Sequence, residues 1–141
     1  MTIRITVPGE PVPWKAAKIV RRGKFAQGVS PDAMKDAQAD VRFQAMRAME
    51  GRELLQGQVT LYVGVYRTKG MPKSKVKRAQ AEAGTLRPTT RPDLDNMVKL
   101  VSDSLNGIVY RDDSQIVGLT AAKMWSETPR VEIQVQEWTP C

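Results

Sequence analysis

Residues 91–123 read RPDLDNMVKLVSDSLNGIVYRDDSQIVGLTAAK, and they combine a helix, a turn and most of a strand. Pro92 disfavours helical backbone at Arg91, so the chain approaches in an extended form. From Asp95 onward, Met97, Leu100, Val101, Ser104, Leu105 and Ile108 fall at i, i+3, i+4, i+7, i+8 and i+11, a stripe along one face of a helix. Asn106-Gly107 closes it, because glycine readily takes the left-handed backbone that ends helices. Residues 116–125, IVGLTAAKMW, then read as a strand.

Outward from this stretch, TIRITV at residues 2–7 alternates and predicts a strand that Pro8, Gly9, Pro11 and Pro13 end. A basic loop is expected to about Ser30. Ser30-Pro31-Asp32 predicts a helix start: a serine cap, proline at the first helical position and an acid in the first turn. Met34, Ala37, Val41, Ala45 and Ala48 carry that helix to about Glu50, with Gly51 as its stop. QVTLYVGVY, residues 58–66, is rich in β-branched and aromatic residues and predicts a strand. Residues 67–92 form a long connection with a short helix across Lys73–Ala83. RVEIQVQ, residues 130–136, predicts the last strand, and Glu127-Thr128-Pro129 predicts a hairpin turn before it. The order strand, helix, strand, helix, strand, strand implies one α+β domain over residues 1–141, with helices packed on a mixed or mainly antiparallel sheet.

Composition narrows the chemistry. The 141 residues include no histidine and one cysteine, Cys141. Ser-His-Asp triads, histidine acid–base chemistry, internal disulfides and thiolate zinc sites are therefore excluded. Any metal must be held by oxygen, which favours Mg²⁺, Mn²⁺ or Ca²⁺. No signal peptide or apolar run of membrane-spanning length is visible, so a soluble cytoplasmic protein is expected.

Charge is unevenly spread. The net charge is +7. Residues 1–91 carry 18 bases against 7 acids, and residues 92–141 carry 4 against 8, so the halves stand at +11 and −4. Lys15, Lys18, Arg21, Arg22 and Lys24 cluster without an acid in residues 14–24. Residues 67–91 hold eight bases, Lys73, Lys75, Lys77, Arg78 and Arg91 among them, and only Glu82. Basic surfaces gather nucleic-acid phosphates through counterion release. Trp14 either stacks on a base or anchors its loop.

The acids are compactly placed. Asp93 and Asp95, two apart in extended chain, point to one side. Asp95 or Asn96 is placed to cap the helix, and Lys99 lies one turn on from Asp95. Asp112-Asp113 follows after the helix, and adjacent residues of extended chain face opposite ways, so one of the two joins the acids. Phosphodiester hydrolysis has a use for this set: a carboxylate-held divalent ion activates water and neutralises phosphate charge, and a lysine contacts the phosphate. The bland reading is that Asp95 only caps and Lys99 only pairs with it. A haloacid-dehalogenase D-x-D is excluded because Asp93 follows polar Thr89-Thr90-Arg91-Pro92 rather than a buried strand. An EF-hand is excluded by Met97 and Lys99 at ligand positions. Asp103 reads as an exposed helix residue or a partner of Lys99.

The run Arg91-Pro92-Asp93-Leu94-Asp95-Asn96, Lys99, Asp103, Leu105-Asn106-Gly107, Asp112-Asp113-Ser114-Gln115-Ile116-Val117 and Lys123 resembles the RusA family of Holliday junction resolvases. The resemblance implies a RusA-like fold and a homodimer, often phage- or prophage-encoded, that cuts four-way DNA junctions by paired nicks with Mg²⁺, Mn²⁺ being a substitute. It implies Asp93, Asp95 and Asp113 as metal-binding acids and Lys99 as the catalytic basic residue, with Asp112 at most a helper. A four-way junction is two-fold symmetric, and an isologous dimer supplies two matching sites. The rival reading is a non-catalytic nucleic-acid-binding protein whose acids only brace a helix.

Overall fold

The computed structural model describes residues 1–12 and 32–140, together with the backbone of residues 18–22 and 25–29. Along the chain stand β1 (Thr2–Pro8), β2 (Lys18–Arg22), β3 (Phe25–Val29), α1 (Asp32–Met49), β4 (Val59–Arg67), α2 (Lys75–Glu82), α3 (Leu94–Ser104), β5 (Ile116–Trp125) and β6 (Arg130–Glu137). A single 3-10 turn, Asp113–Gln115, leads into β5. The α+β expectation holds. Trp14, Lys15, Lys24, the Ser30-Pro31 helix start and Cys141 lie outside the described residues.

Alternating apolar residues build the sheet, whose strand order is β1-β6-β4-β5. β6 is antiparallel to β1 and to β4, whereas β5 runs parallel to β4. Register stacks the inward residues into rows: Ile3–Val135–Leu61, Ile5–Ile133–Val63 and Val7–Val131–Val65. All nine are buried. Helices α1 and α3 cover this face. α1 contributes Met34, Val41, Ala45 and Met49, and α3 contributes Met97, Leu100 and Val101 from the expected stripe. α1 ends where Glu50 and Gly51 both take positive φ, 52° and 76°.

Two expectations change. The basic stretch expected as loop contains a hairpin, with β2 and β3 paired from Lys18↔Val29 to Arg22↔Phe25. Ile19 and Val20 favour strand, and a ladder pairs through the backbone whatever the side-chain charge. The last two strands, by contrast, form no hairpin. Both pair with β4, from opposite sides, so the connection through Glu127-Thr128-Pro129 passes over the end of β4. Ser126 N–H donates to Arg67 O at 2.9 Å, and Thr68 Oγ1 donates to Ser126 O at 2.6 Å. Turn residues indicate that the chain reverses; they do not say which strand fills the gap. Parallel pairing requires a crossover, and α2 and α3 supply it.

Tyr110 fixes the far end of α3. It is fully buried, and its hydroxyl donates to Ser102 O at 2.8 Å. Leu55 N–H donates to Val109 O at 2.8 Å and ties the segment before β4 to the same loop. Tyr110→Phe leaves Ser102 O without this donor in a close-packed site, so a stability loss of about 1 kcal/mol is expected in urea unfolding.

Candidate active site

Asp93 takes the cap position of α3, in extended backbone (φ −69°, ψ 136°), and its side chain makes no capping hydrogen bond. The cap is therefore two residues before Asp95, the earlier of the two expected positions. The exposed Asp93 carboxylate remains available, and the equally exposed Asp95 stands in the first helical turn, where the helix dipole favours an anion. The Arg91–Pro92 peptide just before them is cis.

The third acid arrives through a clamp. Gln115 Nε2 donates to Leu55 O at 2.8 Å and to Gly57 O at 2.9 Å. Its Oε1 accepts from Arg111 N at 2.8 Å and from Asp112 N at 3.1 Å. Asp112 completes a capping box by accepting from Ser114 N at 3.0 Å. Hydrogen bonds from Ser114 hold its carboxyl below the ordinary range. Of the adjacent pair, Asp112 is thus a cap, and Asp113 faces α3.

There Asp113 meets Asp103 and Lys99. Lys99 Nζ lies 3.1 Å from Asp103 Oδ2, so its ion-pair partner is one turn toward the C-terminus, not Asp95. Burial pushes the Asp113 carboxyl above its usual value. The hydrogen bond shared with Asp103 and the charges of Asp112 and Asp103 add to the rise, while Lys99 opposes it. The expected pairing of Asp103 with Lys99 is present. The fold also sets Asp103 against Asp113, a contact that depends on the loop return and has no signature in spacing.

Another pair was overlooked. On β5, register continues the inward rows as Leu61↔Leu119, Val63↔Ala121 and Val65↔Lys123. The Val7–Val131–Val65 row thus ends in a lysine. Lys123 Nζ donates to Thr90 O at 2.6 Å, and Arg67 Nη1 donates to Thr90 Oγ1 at 3.3 Å. Burial lowers the Lys123 pKa, the Arg67 charge lowers it further, and Asp93 pulls the other way. The alternation Leu119, Ala121, Lys123 was the available signal.

The sequence that builds this fold matches a known family. Residues 8–136 match the family described as Endodeoxyribonuclease RusA. The chain belongs to the RusA family. It is 41% identical over 142 residues, covering 96% of each chain, to the uncharacterized protein YqaN of Bacillus subtilis (strain 168). It is also 48% identical over 50 residues to the crossover junction endodeoxyribonuclease rusA of Lactococcus phage r1t, covering 35% of this chain and 38% of that one. Family membership supports a nuclease, and the RusA resemblance extends well beyond residues 91–123.

Within this RusA-family chain, the donors suit a hard cation: they are carboxylate oxygens, and Asp113 and Asp103 press like charges together as a cation would relieve. Among the described residues, however, no three acids converge into a ready cation cage. The expected DNA contacts are spread out. Lys18, Arg21 and Arg22 lie on β2. Lys73, Lys75, Lys77 and Arg91 are exposed. Arg78 is engaged, 2.7 Å from Glu127 and 3.5 Å from Glu82, and braces α2 against the β5–β6 connection. Among the described residues no helix is long and apolar enough to cross a membrane.

A raised carboxyl pKa means that the folded state binds its proton more tightly than the unfolded chain does. Stability then falls as pH rises from the ordinary carboxylate range through the raised value. Asp113→Asn should therefore raise the melting temperature at pH 7 in EDTA, and the gain should vanish in acid where Asp113 is protonated; melting curves across pH check both.

Proposed function

We propose that this protein is a Mg²⁺-dependent, structure-selective endonuclease that resolves four-way DNA junctions by paired nicks, working as a homodimer. The observation that carries the reading is the meeting of Asp113 with Asp103 and Lys99 on the same helix whose first turn holds Asp93 and Asp95. Membership of the RusA family and the similarity to a phage protein named as a crossover junction endodeoxyribonuclease support it. The same similarity favours a phage or prophage origin.

In this reading Asp93, Asp95 and Asp113 hold the Mg²⁺, with Mn²⁺ as a substitute. The ion would supply an acidified water, in place of the base a chain without histidine lacks, and charge neutralisation on the phosphate. Lys99, held by Asp103, presents its ammonium to the phosphate as negative charge builds on the oxygens. Asp112 orders the turn and touches no substrate. The bases of residues 15–24 with Lys73, Lys75, Lys77 and Arg91 engage backbone phosphates outside the site. Two copies about a two-fold axis match the symmetry of the junction and place one site at each of two opposed strands.

A synthetic four-way junction incubated with Mg²⁺ tests this. Symmetric nicks near the exchange point are expected, with cleavage reduced about 100-fold or more by Asp95→Asn. Tight junction binding without Mg²⁺-dependent nicking would favour the rival, a binding protein whose acids only brace α3. Undiminished nicking by Asp95→Asn would overturn the site assignment.

A further inference from the structure

Beside the acids lies a second electrostatic anomaly, of opposite sign. Lys123 occupies the fourth place, on the edge strand, of a row whose other members, Val7, Val131 and Val65, are buried, and is itself partly buried. Arg67, the last residue of β4, stands one row further along the same face. Both cations converge on Thr90, at its carbonyl oxygen and its hydroxyl, and both of those acceptors are neutral. Among the described residues neither cation makes a salt bridge. Arg67 Nε is shut away from solvent and has no hydrogen-bond partner at all. Two like charges so close, half-buried and unneutralised, are held at a cost, and a buried donor without a partner adds to it. A bound anion removes both penalties.

The position is informative. Arg67 and Lys123 stand at or near the carboxyl ends of two neighbouring parallel strands, where open α/β sheets place their ligands. Thr90 precedes Asp93 by three residues, and Asp93 is near enough to pull on the Lys123 pKa. A guanidinium and an ammonium together suit a tetrahedral oxyanion: the guanidinium offers a planar fork of donors and the ammonium a point charge.

From this geometry we infer that Arg67 and Lys123 form a binding site for one DNA backbone phosphate at the Asp93 end of the active site. They are positioning residues, distinct from Lys99 at the Asp113 end, and together the two ends fix where the strand crosses the acids. The inference rests on the nuclease reading for its ligand, a phosphodiester, but not for its test.

Single neutral methylphosphonates, placed in turn at each phosphate around the exchange point of a synthetic four-way junction, measure the contact directly. Affinity is read in EDTA for the wild type, Lys123→Gln, Arg67→Gln and Lys123→Arg. At one phosphate, neutralisation should weaken wild-type and Lys123→Arg binding about tenfold and both Gln variants by a clearly smaller factor. If every methylphosphonate weakens the wild type and the Gln variants by the same factor, the site is wrong; a merely structural Lys123 lowers the melting temperature without producing this coupling. Binding in EDTA does not call on the acids. Coupling that persists in a protein unable to nick counts against the metal-acid assignment alone, and a normally nicking protein without coupling counts against the phosphate site alone.

Discussion

The parallel pairing of β4 with β5 is the constraint on which the rest depends. Two parallel neighbours cannot be joined by a turn, so the chain between them must travel back along the sheet. It does so through α2 and α3, and α3 lays Met97, Leu100 and Val101 on the apolar rows of the sheet. That return delivers Thr90 to Arg67 and Lys123, and Asp93 and Asp95 follow at the helix start. A meander of antiparallel hairpins from the same residues would scatter these groups. Topology, more than any single contact, assembles the candidate site.

Much of this was legible in the sequence because burial imposes a period. The α3 stripe and the alternation of Ile3, Ile5 and Val7 or of Val131, Ile133 and Val135 follow from which residues must leave water. That Asp112 and Asp113 face different ways was legible too, since neighbours in extended chain do so; that Asp113 is the one beside the other acids came from the family resemblance, not from the spacing. What could not be read was strand adjacency. Pro129 and its neighbours signal a turn in either arrangement, so the insertion of β4 between β5 and β6 left no local mark. For the same reason Lys123 looked like one more strand residue until its row partners were known, and Asp103, readable as a partner of Lys99, showed its contact with Asp113 only once the loop brought Asp113 back. The family resemblance, drawn from less than a quarter of the chain, proved to hold over residues 8–136.

The +7 net charge hides a more specific arrangement. Along α3, Asp103 and Asp113 crowd like charge, with Lys99 as partial compensation. Just before its first turn, Arg67 and Lys123 crowd the opposite charge, with Asp93 as partial compensation. Local rules of pairing and burial are violated at both places, and such violations concentrate where a protein awaits a ligand. On the proposed reading, a cation relieves the first and a phosphate the second. The free protein would then be less stable than its fold permits, a familiar exchange of stability for function.

The central claim is that Asp93 and Asp95 at the start of α3 and Asp113 in the turn before β5 share one divalent ion. Titrating Mn²⁺ into the purified protein, with free Mn²⁺ followed by its EPR signal, tests this without DNA or cleavage. The account predicts saturable binding by the wild type and a loss of about tenfold or more in affinity for each of Asp93→Asn, Asp95→Asn and Asp113→Asn. Equal Mn²⁺ affinity in the wild type and all three variants would contradict it.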